Sequence, residues 1–364
     1  MANIKQIPNE VKKFSDFKMK VINADPSKGF NFPYILIMPK SLPNKVKLMV
    51  ECANSKDYEK SNGTAQSFEE QIECASKYAE DICEQQDDKN FNIPLLYQKL
   101  RQPIIIPIIE RCEYERVGVI RPDEQDEKYA ELDRLGKNTE FYPQQLGRQV
   151  MLEKEGKFAK LSEQVVAMVE DVKRKIRVYS KLRMKRIEIE EKSALVGFSS
   201  SSVFASRMQL ICPEHFDTCI SLCSGGTQPL PLTELNGEKL NYPLGVADFE
   251  QIFGKPFNAK EYAKAKQISI VGELEPNGSY NTALKPRLFD KSIRDLFLRV
   301  YGNLTLQERQ MEIDKILTNS GYTNITCKVL KGVEHSTHGM GRAVLNWAEN
   351  NIQNTKQQEQ TLQK

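Results

Sequence analysis

The chain has 364 residues, of which 40% are apolar and 28% charged, a balance that supports a sizeable core and excludes a wholly disordered protein. Its 52 basic and 49 acidic residues leave a net charge of +3, which argues against nucleic acid or a membrane surface as a partner. The longest apolar runs, such as Ile104 to Ile109, fall far short of the roughly 18–20 residues that span a bilayer.

The opening Met1 to Pro8 shows no apolar stretch followed by a small-residue cleavage site, so the expectation is a cytoplasmic chain without a signal peptide. Residues 34–39 and 45–52 read as strands. The segment between them, Lys40 to Asn44, is short, and an antiparallel hairpin is the economical pairing. Phe68, Ile72, Ala75, Tyr78, Ala79 and Ile82 recur at helical spacing and predict a helix over 67–85. Residues 103–109 form a continuous apolar run, the mark of a strand buried on both faces, and the second proline favours a strand end.

Residues 112–160 are polar and irregular, an excursion over the surface. A strong helix follows, with Leu161, Val165, Met168, Val169, Val172 and Ile176 on or near one face. The basic run from Lys173 to Arg186 closes it. It reads as a solvated face whose cations favour the helix C-terminus, with an anion-binding patch as the alternative. Then come a strand (193–196), a turn, a helix (202–210), a strand (218–222) and an irregular stretch (224–257). A strand (268–272), a polar helix (304–320), a strand (323–330) and a closing helix (338–352) complete the series. Met340, Ala343, Val344 and Trp347 give that last helix an apolar face.

Alternating strands and helices behind a hairpin imply an α/β fold. Its sheet should be mostly parallel with helices on both faces, and its sites should lie beyond the C-terminal strand ends. The expected organisation is one domain over 1–353 and a frayed polar tail over 354–364.

The eight cysteines include no Cys-x-x-Cys pair, so no disulfide framework is indicated. Cys212, His215, Cys219 and Cys223 could formally hold zinc, but their spacing matches no common site. Cys219 and Cys223 flank an apolar run and read as small hydrophobes in a buried strand. No metal site is therefore assigned.

The chemistry begins at Gly197-Phe198-Ser199-Ser200-Ser201, between the strand Ala194-Leu195-Val196 and a helix. A strand–turn–helix of this kind lifts the middle hydroxyl, Ser199, out at the strand end. The serines at 199–202 would suggest a linker by composition alone, but a buried strand and an apolar helix flank them. A serine hydroxyl needs a base, and the base an orienting carboxylate, in the chain order serine, acid, histidine. The chain has three histidines. His335 and His338 follow the last strand, and His335 is nearer its end; His215 should be remote. The acid should follow the strand ending at Gly272, as Glu275 or, alternatively, Glu273. Glu275 lies farther into the loop, where it can turn toward the histidine. Backbone N–H groups of Ser200 and of the loop after the Ile104 strand, near Ile109 or Glu110, are the candidate oxyanion donors.

These residues resemble the α/β-hydrolases, in particular esterase and depolymerase-like members. The likeness lies in the Gly-Phe-Ser-x-Ser turn at 197–201, Phe204-Ala205-Ser206-Arg207 and Pro213-Glu214. It extends to Val50 to Ser55, Gln164 to Asp171, Tyr242 to Asp248 and Gly332 to His335. It runs from about residue 30 to 350 by motif placement. Three positions depart from it, the first being Glu334, where a glycine more often precedes the histidine. Glu275 stands where aspartate is more usual, and Ser201 stands where the turn more often has glycine.

The resemblance implies a serine esterase mechanism with Ser199, Glu275 and His335 as triad, no cofactor, and a small acyl substrate as partner. Thioesters, amides or small peptides are the alternative substrates, and a non-catalytic binding protein of the same fold is the alternative function. Residues 112–160 and 224–265 are expected to cover the strand tips and shape a pocket.

Overall fold

The structure, a computed structural model, describes residues 11–53, 67–84, 92–113, 140–141, 143–224, 228–276 and 291–353. The expected tail lies outside the described residues, as does the stretch 114–139 of the first excursion. The main sheet contains β1 (Val11–Lys13), β2 (Phe17–Ile22), β3 (Tyr34–Pro39), β4 (Met49–Val50), β5 (Ile104–Pro107), β6 (Ser193–Phe198), β7 (Phe216–Leu222), β8 (Lys266–Gly272) and β9 (Ile325–Leu330). Their spatial order is β1-β2-β3-β5-β4-β6-β7-β8-β9. From β5 to β9 every neighbouring pair is parallel, whereas β1, β2 and β3 pair antiparallel and β3 meets β5 antiparallel.

The strand sequences account for these places. Ile104, Ile105 and Ile106 in β5 and Ala194, Leu195 and Val196 in β6 are all buried, as strands covered on both faces must be. In β2, Phe17 and Met19 are buried and Lys18 between them is exposed, the alternation of a strand with one wet face. At the edge, β1 leaves Lys12 and Lys13 exposed, and charge there discourages pairing with another chain.

The pairing expected between 34–39 and 45–52 is corrected. The hairpin joins β2 to β3, and β5 lies between β3 and β4. The chain after β3 therefore crosses over β5 instead of turning back beside it. Residues 45–52 also split. Lys45–Val46 pairs with Glu188–Ile189, and only Met49–Val50 enters the main sheet, between β5 and β6. Both are fully buried there, a demand that a two-stranded hairpin could not have met.

The longer helices are α1 (Phe68–Cys83), α2 (Ile93–Leu100), α3 (Leu161–Leu182), α4 (Ser200–Ile211), α5 (Lys291–Tyr301), α6 (Leu306–Asn319) and α7 (Thr337–Ala348). Capping boxes open α1 at Ser67 with Glu70 and α6 at Thr305 with Glu308, each satisfying two otherwise orphaned N–H groups. In α7 the buried stripe is Met340, Gly341, Val344 and Ala348. Ala343 is exposed and Trp347 half-buried, so the helix is rotated slightly from the expected face.

Helix α3 is tied to β3 by a polar cluster. The Tyr34 hydroxyl donates to Asp171 Oδ2 at 2.7 Å, and Lys175 donates to both Tyr34 and Asp171. Burial alone would raise the Asp171 pKa, but Lys175, Tyr34 and Lys28 outweigh it and hold the carboxyl below its ordinary value. A depressed folded pKa contributes stability that is present above the ordinary carboxylate range and is lost as the pH falls through the folded value. Asp171→Asn is expected to lower stability at neutral pH by about 1.5–3 kcal/mol, the worth of a hydrogen bond to a charged group. The gap to the unaltered protein should close below about pH 4. Urea melts at the two pH values check this, and a gap independent of pH would contradict it.

Candidate active site

Ser199 lies between the end of β6 at Phe198 and the start of α4 at Ser200. Its backbone takes φ 57° and ψ −118°. A positive φ in a non-glycine residue costs of order 1–3 kcal/mol and persists only where its surroundings enforce it. Here the Ser199 N–H donates to Leu222 O at 2.8 Å, and Ser199 O accepts from Ser202 N at 3.1 Å. Gly197 allows α4 to fold back on β6: a Cβ there would stand 2.2 Å from Ser201 O.

Ser201, the departure from the usual small residue, has a local function. Its hydroxyl accepts the Phe198 N–H at 2.7 Å, with Phe198 O at 2.8 Å and Glu51 Oε1 at 3.3 Å as acceptors. The side chain thus closes the turn on itself and links it to the segment after β4.

Strands β6, β7, β8 and β9 are parallel neighbours, so their C-terminal ends open on one edge. The turn after β8 and the loop after β9 meet there. Gly272 makes this possible, because a Cβ would lie 2.2 Å from Val333 O. The Leu274 N–H donates to Val333 O at 3.0 Å, and the Gly332 N–H donates to Glu273 Oε2 at 2.8 Å. Gln307, in the first turn of α6, donates to the carbonyls of Gly272 and Glu275 at 2.9 and 3.0 Å.

Within this frame His335 Nε2 is 3.0 Å from Ser199 Oγ, and His335 Nδ1 is 2.7 Å from Glu275 Oε1. The other Glu275 oxygen accepts the Gly272 N–H at 3.1 Å. The Glu275 side chain is fully buried, while His335 keeps 20% of its side chain exposed. The Phe198 ring packs against the imidazole at a centroid distance of 5.1 Å.

A strained serine between a parallel strand and a helix is followed, after later strands, by a carboxylate and then a histidine that joins the two. That chain order and setting decide the architecture. The chain has the α/β-hydrolase fold. No family model matches the chain, and no curated protein does. Among solved structures, the hydrolase fold here is similar to a poly(aspartic acid) hydrolase-1 from Sphingomonas sp. KT-1, with TM-score 0.46 and 11% identity over 87% of this chain and 94% of that one. It is also similar to a poly(3-hydroxybutyrate) depolymerase from Bordetella parapertussis, with TM-score 0.44 and 11% identity over 95% and 92% of the two chains. A third similarity is to an S-formylglutathione hydrolase from Agrobacterium tumefaciens, with TM-score 0.44 and 10% identity over 94% and 98%.

The alternatives weighed from sequence fall elsewhere. Glu273 is exposed and bonded to the Gly332 backbone. His338 stands exposed in the first turn of α7, its N–H donating to Ser336 Oγ at 3.3 Å. His215 lies at the start of β7, the opposite end of the sheet from Ser199, and burial holds its imidazole below the ordinary pKa. Ile109, the expected second oxyanion donor, follows β5. Strand β4 separates β5 from β6, so β5 lies two strand spacings, about 10 Å, from the strand bearing Ser199. The segment that adjoins Ser199 in the sheet is residues 51–53, after β4. The fold's second donor comes from the loop after the strand in this position.

The described parts of the two excursions meet beside α4. Gln145 Nε2 donates to Ser200 Oγ at 3.0 Å, and Arg207 donates to Gln145 O at 2.7 Å. Tyr242 OH donates to Leu146 O, and Arg148 pairs with Asp248. No helix among the described residues is long and apolar enough to cross a membrane.

One neighbour of the site was not legible as such. Cys223, just past β7, is fully buried with φ 55°. Its sulfur lies within 4.8 Å of a Glu275 oxygen and a His335 ring nitrogen, and burial and the Glu275 charge push its pKa up. Cys219, four residues earlier within β7, is a buried free thiol, as is Cys212 at the end of α4.

Proposed function

We propose that the chain is a serine hydrolase that cleaves carboxylic esters through an acyl-enzyme on Ser199. The observation that carries this reading is the continuous run of hydrogen bonds from Ser199 Oγ through His335 to Glu275, anchored on a strained serine. His335 takes the Ser199 proton as the oxygen attacks the ester carbonyl, and returns it to the departing alcohol. Glu275 keeps the Nδ1 proton in place, so that Nε2 remains the accepting nitrogen, and balances the imidazolium that forms. Water then enters, gives its proton to His335 and releases the acid. The Ser200 N–H and an N–H from residues 51–53 are suited to the oxyanion of each tetrahedral intermediate. The residues need no cofactor for these steps. The described parts of the excursions, at 143–160 and 228–265, belong, on this reading, to the pocket that selects the acyl group.

A fluorophosphonate reagent, which phosphonylates only an activated serine, tests the reading together with a panel of esters, thioesters and amides. Expected are one label per chain, on Ser199, and hydrolysis fastest with esters. An intact, folded protein that takes no label would refute the enzyme, and faster thioester or amide turnover would replace the ester substrate.

A further inference from the structure

The buried thiol beside Glu275 adds a third metal-ligating atom to the site. The Cys223 sulfur, a Glu275 oxygen and a His335 ring nitrogen all lie within 4.8 Å of one another. Nδ1 is the nitrogen on that side, since it stands 2.7 Å from Glu275 Oε1. Cysteine, carboxylate and imidazole are the ligand types of zinc, and three protein ligands with an open fourth position make a recognised coordination set. Thiolate in the set favours zinc over magnesium or calcium. Zinc bonds near 2.0–2.3 Å need ligand atoms about 3.5 Å apart, so side-chain shifts of about 1 Å suffice.

From this cluster we infer that Cys223, Glu275 and His335 form an inhibitory zinc site, one that silences the base from behind. The inhibitory effect rests on the triad reading above; the binding itself does not. On binding, Cys223 loses its thiol proton to solvent and the thiolate takes the metal. The metal displaces the proton on His335 Nδ1, which moves to Nε2. A neutral imidazole carries one N–H, so Nε2 changes from acceptor to donor. It then cannot take the Ser199 proton, although Ser199 itself is untouched. Glu275 is drawn from the histidine to the metal in the same event. No electron is transferred, and a chelator reverses each step.

The test titrates zinc against ester hydrolysis in the unaltered protein, Cys223→Ser and a remote-thiol control, Cys74→Ser, each normalised to its own metal-free rate. Magnesium is the control ion. Expected is inhibition by zinc, reversed by EDTA, in the first and third proteins. In Cys223→Ser it should be weaker by at least the roughly 100-fold that even an outer-shell partner can be worth. Cobalt(II) supplies a reading independent of turnover: a thiolate-to-cobalt charge-transfer band in the first and third proteins, absent from Cys223→Ser. Equal zinc inhibition of all three, or no cobalt band in the unaltered protein, overturns the site. A cobalt band that depends on Cys223 in a protein without hydrolytic activity upholds the site and refutes the enzyme.

Discussion

Ser199→Ala is expected to abolish ester turnover, with kcat reduced on the order of 10⁶-fold and the fluorophosphonate label lost. The contrast that gives this result meaning is Ser201→Ala, two residues along the same serine run. Ser201 is held by Phe198 N–H and O at 2.7 and 2.8 Å, inside the turn, so its hydroxyl has no path to a substrate. Its loss removes one hydrogen bond to the part-buried Phe198 N–H, a stability cost of about 0.5–1.5 kcal/mol. Labelling should survive. If Ser201→Ala lost the label and Ser199→Ala kept it, the nucleophile would be misassigned; if both kept it, a different serine would carry the label.

Glu275→Gln is the second large effect, a fall of about 10⁴ in kcat with little change in KM. The replacement is nearly isosteric and keeps an acceptor for the Gly272 N–H, so the turn should fold. Its amide, however, can present N–H to His335 Nδ1, which then serves as acceptor and carries its proton on Nε2 instead. The base is in place but in the wrong tautomer, and the imidazolium loses its counter-charge. Glu273→Gln is the matched control. Glu273 is exposed and its carboxylate is bonded only to backbone among the contacts described, at 2.8 Å from Gly332 N, so its variant should remain within about tenfold of the unaltered rate. Steady-state kinetics on one ester decides, and an equal loss in both variants would mean that the acid loop, not the carboxylate, carries the effect.

How much of this was readable in advance followed the range of the interactions involved. The turn at Ser199 is a local event. A buried strand, a glycine and an apolar helix within about a dozen residues specify it, and those are visible in a linear string. Glu275 and His335 were reachable because each follows a recognisable strand, and parallel strands deliver their C-terminal ends to one edge.

The hairpin at 34–52 was misread for the converse reason. Nothing in Lys40 to Asn44 reports that residues from 104 onward will occupy the place beside β3. Only the double burial of Met49 and Val50 required it. Cys223 reads as a small apolar residue because its polar neighbours, Glu275 and His335, come from distant loops. Gln307, which braces the acid turn, gave no signal beyond the cap of its helix. Helix α5 was legible in principle: Ile293, Leu296, Phe297 and Tyr301 are spaced as an amphipathic helix and are buried, but the stretch went unread.

The nine-stranded order places Ser199 and His335 in unequal security. Ser199 directly follows β6, which has strands paired on both sides, whereas His335 follows β9, the outermost strand at its end of the sheet among the described residues. Local opening draws on the least supported elements first, and an edge strand is held from one side only. Departure of β9 with α7 would withdraw the base and leave the elbow formed. Competence is then a more local property than foldedness. On the proposed mechanism, losing the base silences turnover while most of the chain stays native, and redocking one strand restores it.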